Sequence, residues 1–308
     1  MKLAFLYAGQ GSQKSGMGCD FYSEYPQTRP FFDTPVMGLD LHRLCFDSPI
    51  NVLSETKHTQ PCMGAFAAAV THLLNEKGIY PDYTAGLSLG EYSALHAAGV
   101  IDGNTLVKLL AFRGKAMTDT TKGMDSAMTA VLGLDEATIN DAIATAGGRV
   151  YCCNFNCPGQ IVIGGERSAV EAAGKACIEH GARRLIPLNV SGPFHTPFME
   201  DASLLLHEKL EVVQFAPMKC PVFSNVTGDA YPNDESIKTL LVQQVKKPVR
   251  FEQILANLSA LGVDTIIEIG PGKVLSGFVQ KTAPDIKRYA IETVADFERT
   301  VEDIEQEG

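Results

Sequence analysis

Gly86-Leu87-Ser88-Leu89-Gly90-Glu91 reads G-x-S-x-G, the pattern of a nucleophile elbow between a strand and a helix. The apolar lead-in Tyr83-Thr84-Ala85 predicts the end of a strand. Glu91-Tyr92-Ser93-Ala94-Leu95-His96-Ala97-Ala98 predicts a helix that stops at Gly99. A serine at such a junction sits on a sharp turn. Gly86 and Gly90 lack side chains, so backbone can approach closely there. The turn pushes the Ser88 hydroxyl out at the positive end of the following helix. The N–H of Leu89 then points toward an oxyanion formed beside Ser88. A Gly-rich turn with a bystander serine is the plain alternative, and the strand–helix context favours the elbow.

The chain around this stretch is that of a globular protein. It has 308 residues, 45% hydrophobic and 20% charged, with a net charge of −10. That length suits one large domain or a large domain with an insert. The acidic balance argues against nucleic acid as partner. No apolar run approaches the roughly 20 residues that span a bilayer. The start has a lone Lys2 before a strand-like run rather than a signal peptide, and a cytoplasmic location is expected. The eight cysteines include no C-x-x-C pair, and there is no H-E-x-x-H. Neither disulfides nor a metal site is expected, and most of the thiols read as small buried hydrophobes.

Leu3-Ala4-Phe5-Leu6-Tyr7 is a continuous apolar run, as in a buried parallel strand. It enters Ala8-Gly9-Gln10-Gly11-Ser12-Gln13. A dinucleotide loop would need a third glycine at position 14, which is Lys14. The loop reads instead as one whose backbone N–H groups face a ligand oxygen, a second donor for an oxyanion. Thr59-Gln60-Pro61 predicts a helix start, with Thr59 as cap. A helix from about 104 to 117 carries Arg113 after the apolar stretch Leu109-Leu110-Ala111-Phe112. A buried arginine needs an anion; a structural carboxylate is the ordinary partner, a ligand the alternative.

Thr118 to Ser126 reads as a hinge. Beyond it, Ala127–Leu132 reads as strand, Asp135–Ala146 as helix, Val150–Phe155 and Gln160–Gly164 as strands about a Pro-Gly turn. Ser168–His180 reads as helix and Arg184–Val190 as strand. That β-α-β-β-α-β order is ferredoxin-like. Asn154 and Asn156 serve either the turn or a cleft. His195 follows, held between Pro193 and Pro197, with a pKa suited to taking a serine proton. His96 reads as packed. Val222–Gly228 predicts a strand and turn, Ser236–Val245 a helix, and Val263–Ile269 a buried strand entering Gly270-Pro271-Gly272-Lys273. The tail from Glu298 reads as an acidic, solvated helix.

Taken in order, the stretches Gly9-Gln10-Gly11-Ser12-Gln13, Thr59-Gln60-Pro61, Gly86 to Leu95, Arg113-Gly114, Asn154 to Gln160, Gly192 to Thr196, Gln244 to Val249 and Glu268 to Gly272 resemble the malonyl-CoA:acyl carrier protein transacylases of fatty-acid synthesis. The likeness runs over almost the whole chain. One departure is Leu87, where the family often has histidine; it is not the base, so activity is expected to survive it. The resemblance implies an α/β fold: an α/β-hydrolase-like core with a parallel sheet (residues 1–124 and 191–308) and an inserted ferredoxin-like subdomain (125–190). It implies Ser88 as nucleophile and His195 as base, with backbone N–H groups of Gln10 and Leu89 holding the oxyanion. Arg113 would grip the malonyl carboxylate, with Gln60 and Phe194 also at the substrate. The family orients its histidine with a backbone carbonyl rather than an aspartate, with Asn225 and Gln244 as neighbours here. No resident cofactor is implied; the substrates are malonyl-CoA and phosphopantetheinylated acyl carrier protein. The carrier is expected to be acidic, with Arg183, Arg184, Lys246, Lys247 and Lys273 as candidate basic contacts and a solvated surface charge as the ordinary reading of each alone; the enzyme would be a monomer without nucleic-acid or membrane partners. A serine esterase or thioesterase on the same elbow, a polyketide-pathway acyltransferase, and a non-catalytic carrier-docking scaffold remain the rivals.

Overall fold

A computed structural model describes residues 1–307. Among the described residues nine strands form two sheets: β1 (Leu3–Tyr7), β2 (Tyr83–Gly86), β3 (Ser126–Leu132), β4 (Val150–Cys157), β5 (Gln160–Glu166), β6 (Arg184–Pro187), β7 (Val249–Arg250), β8 (Thr265–Ile269) and β9 (Lys287–Ile291). The first sheet has the order β2-β1-β8-β9 and is wholly parallel. β1 and β8 are buried at every position, as central strands covered by helices on both faces must be.

The second sheet runs β6-β3-β5-β4-β7. Its first four strands pair antiparallel. Helices Glu136–Ala146 and Arg167–Glu179 pack on each other and on this sheet, completing the β-α-β-β-α-β order. β7 comes from the far side of the chain and pairs parallel to β4 through Asn154 and Val249. That two-residue strand ties the second sheet to the segment following Gln244.

Local chemistry explains the boundaries. Asp102 and Asp135 cap their helices through the N–H groups of Thr105 and Thr138. The helix expected at Thr59 begins earlier, at Thr56, and runs to Glu76. The Thr59 hydroxyl donates to the Leu53 carbonyl at 2.6 Å instead of capping, and Pro61 lies inside the helix. The helix carrying Arg113 spans Gly103–Thr120, so the hinge is shorter than expected. At Gly114, a Cβ would come within 2.8 Å of the Thr56 carbonyl. Glycine there lets these two helices touch backbone to backbone.

Two further expectations about elements fail. Val222 and Phe223 make only isolated bridges, to Thr84 and Ala230, rather than a strand. The last helix, Val294–Glu307, is not solvated all round. Phe297, Val301 and Ile304 fall at helical spacing and are buried in the main core; its acidic residues occupy the other face. The eight cysteines are free thiols, and five of them are buried.

Candidate active site

The elbow forms where β1, β2 and the helix Leu89–Ala97 meet. Ser88 adopts φ 55° and ψ −105°, a strained conformation for a residue with a side chain. The residues two positions to either side of it must be glycine. A Cβ on Gly86 would lie 2.1 Å from the Gly90 carbonyl, and one on Gly90 would lie 2.3 Å from the Tyr7 carbonyl oxygen. Asn225 clamps the turn: its Oδ1 accepts from the Ser88 N–H at 2.7 Å and its Nδ2 donates to the Gly86 carbonyl at 2.7 Å.

His195 arrives from the loop after β6, also at positive φ (62°). Its backbone N–H donates to the Val245 carbonyl at 3.0 Å. Its Nδ1 lies 2.7 Å from the Gln244 backbone carbonyl and its Nε2 lies 2.8 Å from Ser88 Oγ. A carbonyl only accepts, so Nδ1 carries the proton and Nε2 offers its lone pair to the serine hydroxyl. Burial, and then the nearby Arg113 charge, push the imidazole pKa down to about 4.

Arg113 is fully buried. Its Nη1 donates to Gln60 Oε1 at 2.9 Å; its Nη2 donates to Gln244 Oε1 at 2.8 Å and to Ser88 Oγ at 3.1 Å. All three acceptors are neutral, and among the described residues no carboxylate stands in ion-pair range of it. The guanidinium carbon lies 5.5 Å from the Tyr92 ring centroid. Its hydrogen-bond partners are neutral and Glu91 acts on it only at longer range, so the buried cation is incompletely compensated; it also touches Ser88 Oγ.

Ser88 and His195 line a cleft of about 230 Å³ between the two sheets, and Arg113, fully buried behind it, reaches it through its bond to Ser88 Oγ. Gln10, Gln60, Leu87 and Ser88 line it from the parallel-sheet side, Asn154, Asn156 and Gln160 from the second sheet, and Phe194 and His195 from the connecting loop. Asn156 Oδ1 is buried without a hydrogen-bond donor. Leu89 is the first residue of its helix, where an N–H has no intrahelical acceptor. The Gln10 N–H has no backbone acceptor either, and its side chain is turned away to Thr56 Oγ1 at 3.0 Å. A larger hollow, of about 690 Å³, is lined by Asp102, Lys108 and Lys209 and holds none of these groups.

Of the two residues expected beside the histidine, only Gln244 reaches it. Asn225 spends both ends of its amide on the elbow. Glu91 was missed as a site residue. It is buried beneath the elbow and accepts from Gln244, Asn225 and Tyr231. Lys246, an expected carrier contact, is paired with Glu200 at 2.7 Å.

The chain matches the acyl transferase domain over residues 4–306. It belongs to the acyl transferase family. This acyl transferase is 40% identical over 312 residues to the malonyl CoA-acyl carrier protein transacylase of Bacillus subtilis strain 168, covering 100% of this chain and 98% of that one. The Escherichia coli K12 enzyme of the same name is 38% identical, with 94% and 96% covered. Among solved structures, MCAT from Streptococcus pneumoniae superposes with a TM-score of 0.92 at 43% identity, covering 98% of this acyl transferase and 100% of that chain. A malonyl-transacylase in complex with its type II PKS acyl-carrier protein superposes at 0.93 with 37% identity, covering 98% and 100%.

The lowered imidazole pKa gives a signed expectation. Protonated imidazole cannot act as base, so a pKa of about 4 keeps the free acyl transferase competent well below histidine's usual value. The acid limb of kcat/KM for Ser88 acylation should therefore lie below pH 5.5. A carboxylate on Arg113 would cancel part of that depression, so the limb in kcat should lie higher. A kcat/KM limb at about pH 6.5 in protein that stays folded would contradict this geometry.

Proposed function

We propose that this acyl transferase moves a malonyl group from malonyl-CoA to the phosphopantetheine thiol of an acyl carrier protein, in fatty-acid biosynthesis, through an ester on Ser88. The observation that carries the reading is Arg113: a buried guanidinium without a carboxylate partner, bonded to the nucleophile's own oxygen.

Ser88 Oγ attacks the thioester carbon as its proton passes to His195 Nε2. The oxyanion forms against the N–H groups of Gln10 and Leu89. The tetrahedral intermediate expels the CoA sulfur, which takes the proton from the imidazolium. In the second half, the carrier thiol gives its proton to Nε2 and attacks the ester carbon; Ser88 Oγ leaves and recovers that proton. The acyl carboxylate sits on the Arg113 fork, where both charges find their partner. A plain acyl chain would leave the guanidinium unpaired, which is the basis for selecting a dicarboxylic acyl group. Gln60 steers Arg113, and Phe194 crowds the acyl α-carbon. Asn156 Oδ1 offers an acceptor to an amide N–H of the pantetheine arm that both thiol carriers share. The protein works as a cytoplasmic monomer that meets its carrier transiently and needs no resident cofactor.

Transfer is favoured over hydrolysis by Arg113 and by the neutral carbonyl behind the imidazole, where a hydrolase normally supplies an acid. Intact-protein mass spectrometry after brief exposure to malonyl-CoA should show one malonyl adduct, discharged by holo-carrier protein faster than by water. Release of free malonate as fast as the carrier is loaded would reject the transferase reading.

A further inference from the structure

The reaction above uses Ser88, His195 and Arg113, yet all three lean on a carboxyl that none of them touches. Glu91 lies three residues beyond the nucleophile, one turn into the elbow helix, and is completely buried. Its Oε2 accepts from Gln244 Nε2 at 2.7 Å and from the Asn225 N–H at 3.1 Å; its Oε1 accepts from the Tyr231 hydroxyl. Two segments distant in sequence, the turn that holds Asn225 and Tyr231 and the end of the helix Ser236–Gln244, are thereby pinned to the elbow helix.

Gln244 is the member that matters for chemistry. Its backbone carbonyl holds His195 Nδ1, its Oε1 holds Arg113 Nη2, and its Nε2 donates both to the Ser88 carbonyl at 2.8 Å and to Glu91. The amide thus lies between a buried cation and a buried carboxyl, with its oxygen toward the first and its NH₂ toward the second. The helix Ser236–Gln244 ends at this residue, so ordinary helical bonding does not continue past it. Without an acceptor at position 91, one of the Gln244 donors and the Asn225 N–H would be buried unsatisfied, which costs roughly 1–3 kcal/mol per group. The end of the helix would shift to recover them, carrying the carbonyl behind His195 with it.

The same arrangement keeps Arg113 out of an ion pair, since the neutral Gln244 Oε1 and not Glu91 takes its Nη2. A direct Glu91–Arg113 pair would consume the fork that a substrate carboxylate needs. With Gln244 interposed, opposite charges share one protein interior without closing on each other.

We infer that Glu91 is a positioning residue for acyl transfer, acting through Gln244, whose carbonyl and amide it holds against His195 and Arg113. The inference rests on the proposed roles of Ser88 and His195. Burial raises the Glu91 pKa to about 7, so a neutral group is compatible with this pocket. A glutamine at 91 can accept from Gln244 and Asn225 through its oxygen and donate to Tyr231, whose hydroxyl can turn to accept.

The test is a set of variants assayed for the rate of Ser88 acylation by malonyl-CoA and by acetyl-CoA, in protein whose fold is checked by circular dichroism. Glu91→Leu fills the space but offers no acceptor. It should lower kcat for both acyl groups by about 10²-fold, the cost of a misplaced catalytic group, with KM changed far less. Glu91→Gln should retain at least about a third of the wild-type kcat, since position rather than charge is restored. Gln244→Leu combined with Glu91→Leu should be no slower than the slower single variant, because both act on one element. Fully additive losses, equal losses in Glu91→Gln and Glu91→Leu, or a wild-type kcat in Glu91→Leu would each overturn the inference. Should Glu91→Leu not fold, Tyr231→Phe combined with Glu91→Gln removes the remaining anchor of residue 91: a loss of about fivefold or more below Glu91→Gln supports the inference, and any smaller loss overturns it. Ser88→Ala run alongside separates the two levels, since acylation surviving that change rejects the roles of Ser88 and His195 whatever the Glu91 variants do.

Discussion

Arg113→Ala is expected to lower malonyl loading of Ser88 by roughly 3–5 kcal/mol, the cost of breaking a buried charge pair, or a factor of about 10²–10⁴ in kcat/KM. Acetyl loading should stay within about tenfold of the wild type or rise. The asymmetry follows from what the guanidinium touches. In the free protein it is held by Gln60, Gln244 and Ser88 Oγ, none of them charged. An acyl carboxylate would supply the direct ion-pair partner that Glu91, held off by Gln244, does not; an acetyl group has nothing to offer it. Removing the side chain also takes a bond from Gln244, whose carbonyl orients His195. The acetyl rate reports on that damage separately, because it needs the Ser–His pair and not the carboxylate grip. Competition between malonyl-CoA and acetyl-CoA, read by the mass of the acyl-protein, gives the ratio directly. Malonyl preference surviving intact in the alanine variant would refute the assignment of the acyl group.

Ser88→Ala should abolish the acyl adduct and reduce transfer by roughly 10⁴–10⁶-fold, the range seen when a serine nucleophile is deleted. The fold should persist. Alanine meets the same positive-φ strain that Ser88 already bears at φ 55°, and the clamp by Asn225 uses only the backbone N–H of residue 88 and the Gly86 carbonyl. An adduct of malonyl mass on the alanine variant would place the nucleophile elsewhere.

Much of this was legible in the residues. Gly86 and Gly90 announce a turn in which backbone must meet backbone, and steric contact at 2.1–2.3 Å is what forbids any larger residue there. The alternation through Ser126–Pro187 gives the ferredoxin-like order because turn residues punctuate it at short intervals. Pro193 and Pro197 mark His195 as held, and the apolar run before Arg113 marks it as buried.

Other features depended on tertiary contact. Glu91 looked like an acidic residue in a helix's first turn, and its three partners lie 134 to 153 residues away. The amide of Asn225 suits either the imidazole or the elbow; only the path of the loop after Phe223 selects the elbow. In the C-terminal helix, a high count of acidic side chains hid the apolar spacing of Phe297, Val301 and Ile304. The start of the helix at Thr56 was hidden because the strongest capping residue, Thr59, bonds backward to Leu53.

The oxygen behind the imidazole belongs to a peptide group, not an acid. With no negative charge to hold it, the imidazolium gives its proton back readily to whichever sulfur is departing. The two ends of the exchange are thioesters of similar energy, and no catalyst changes that balance, so the protein sets no preferred destination for the acyl group. Supply of one thioester and consumption of the other must decide which way material flows through it.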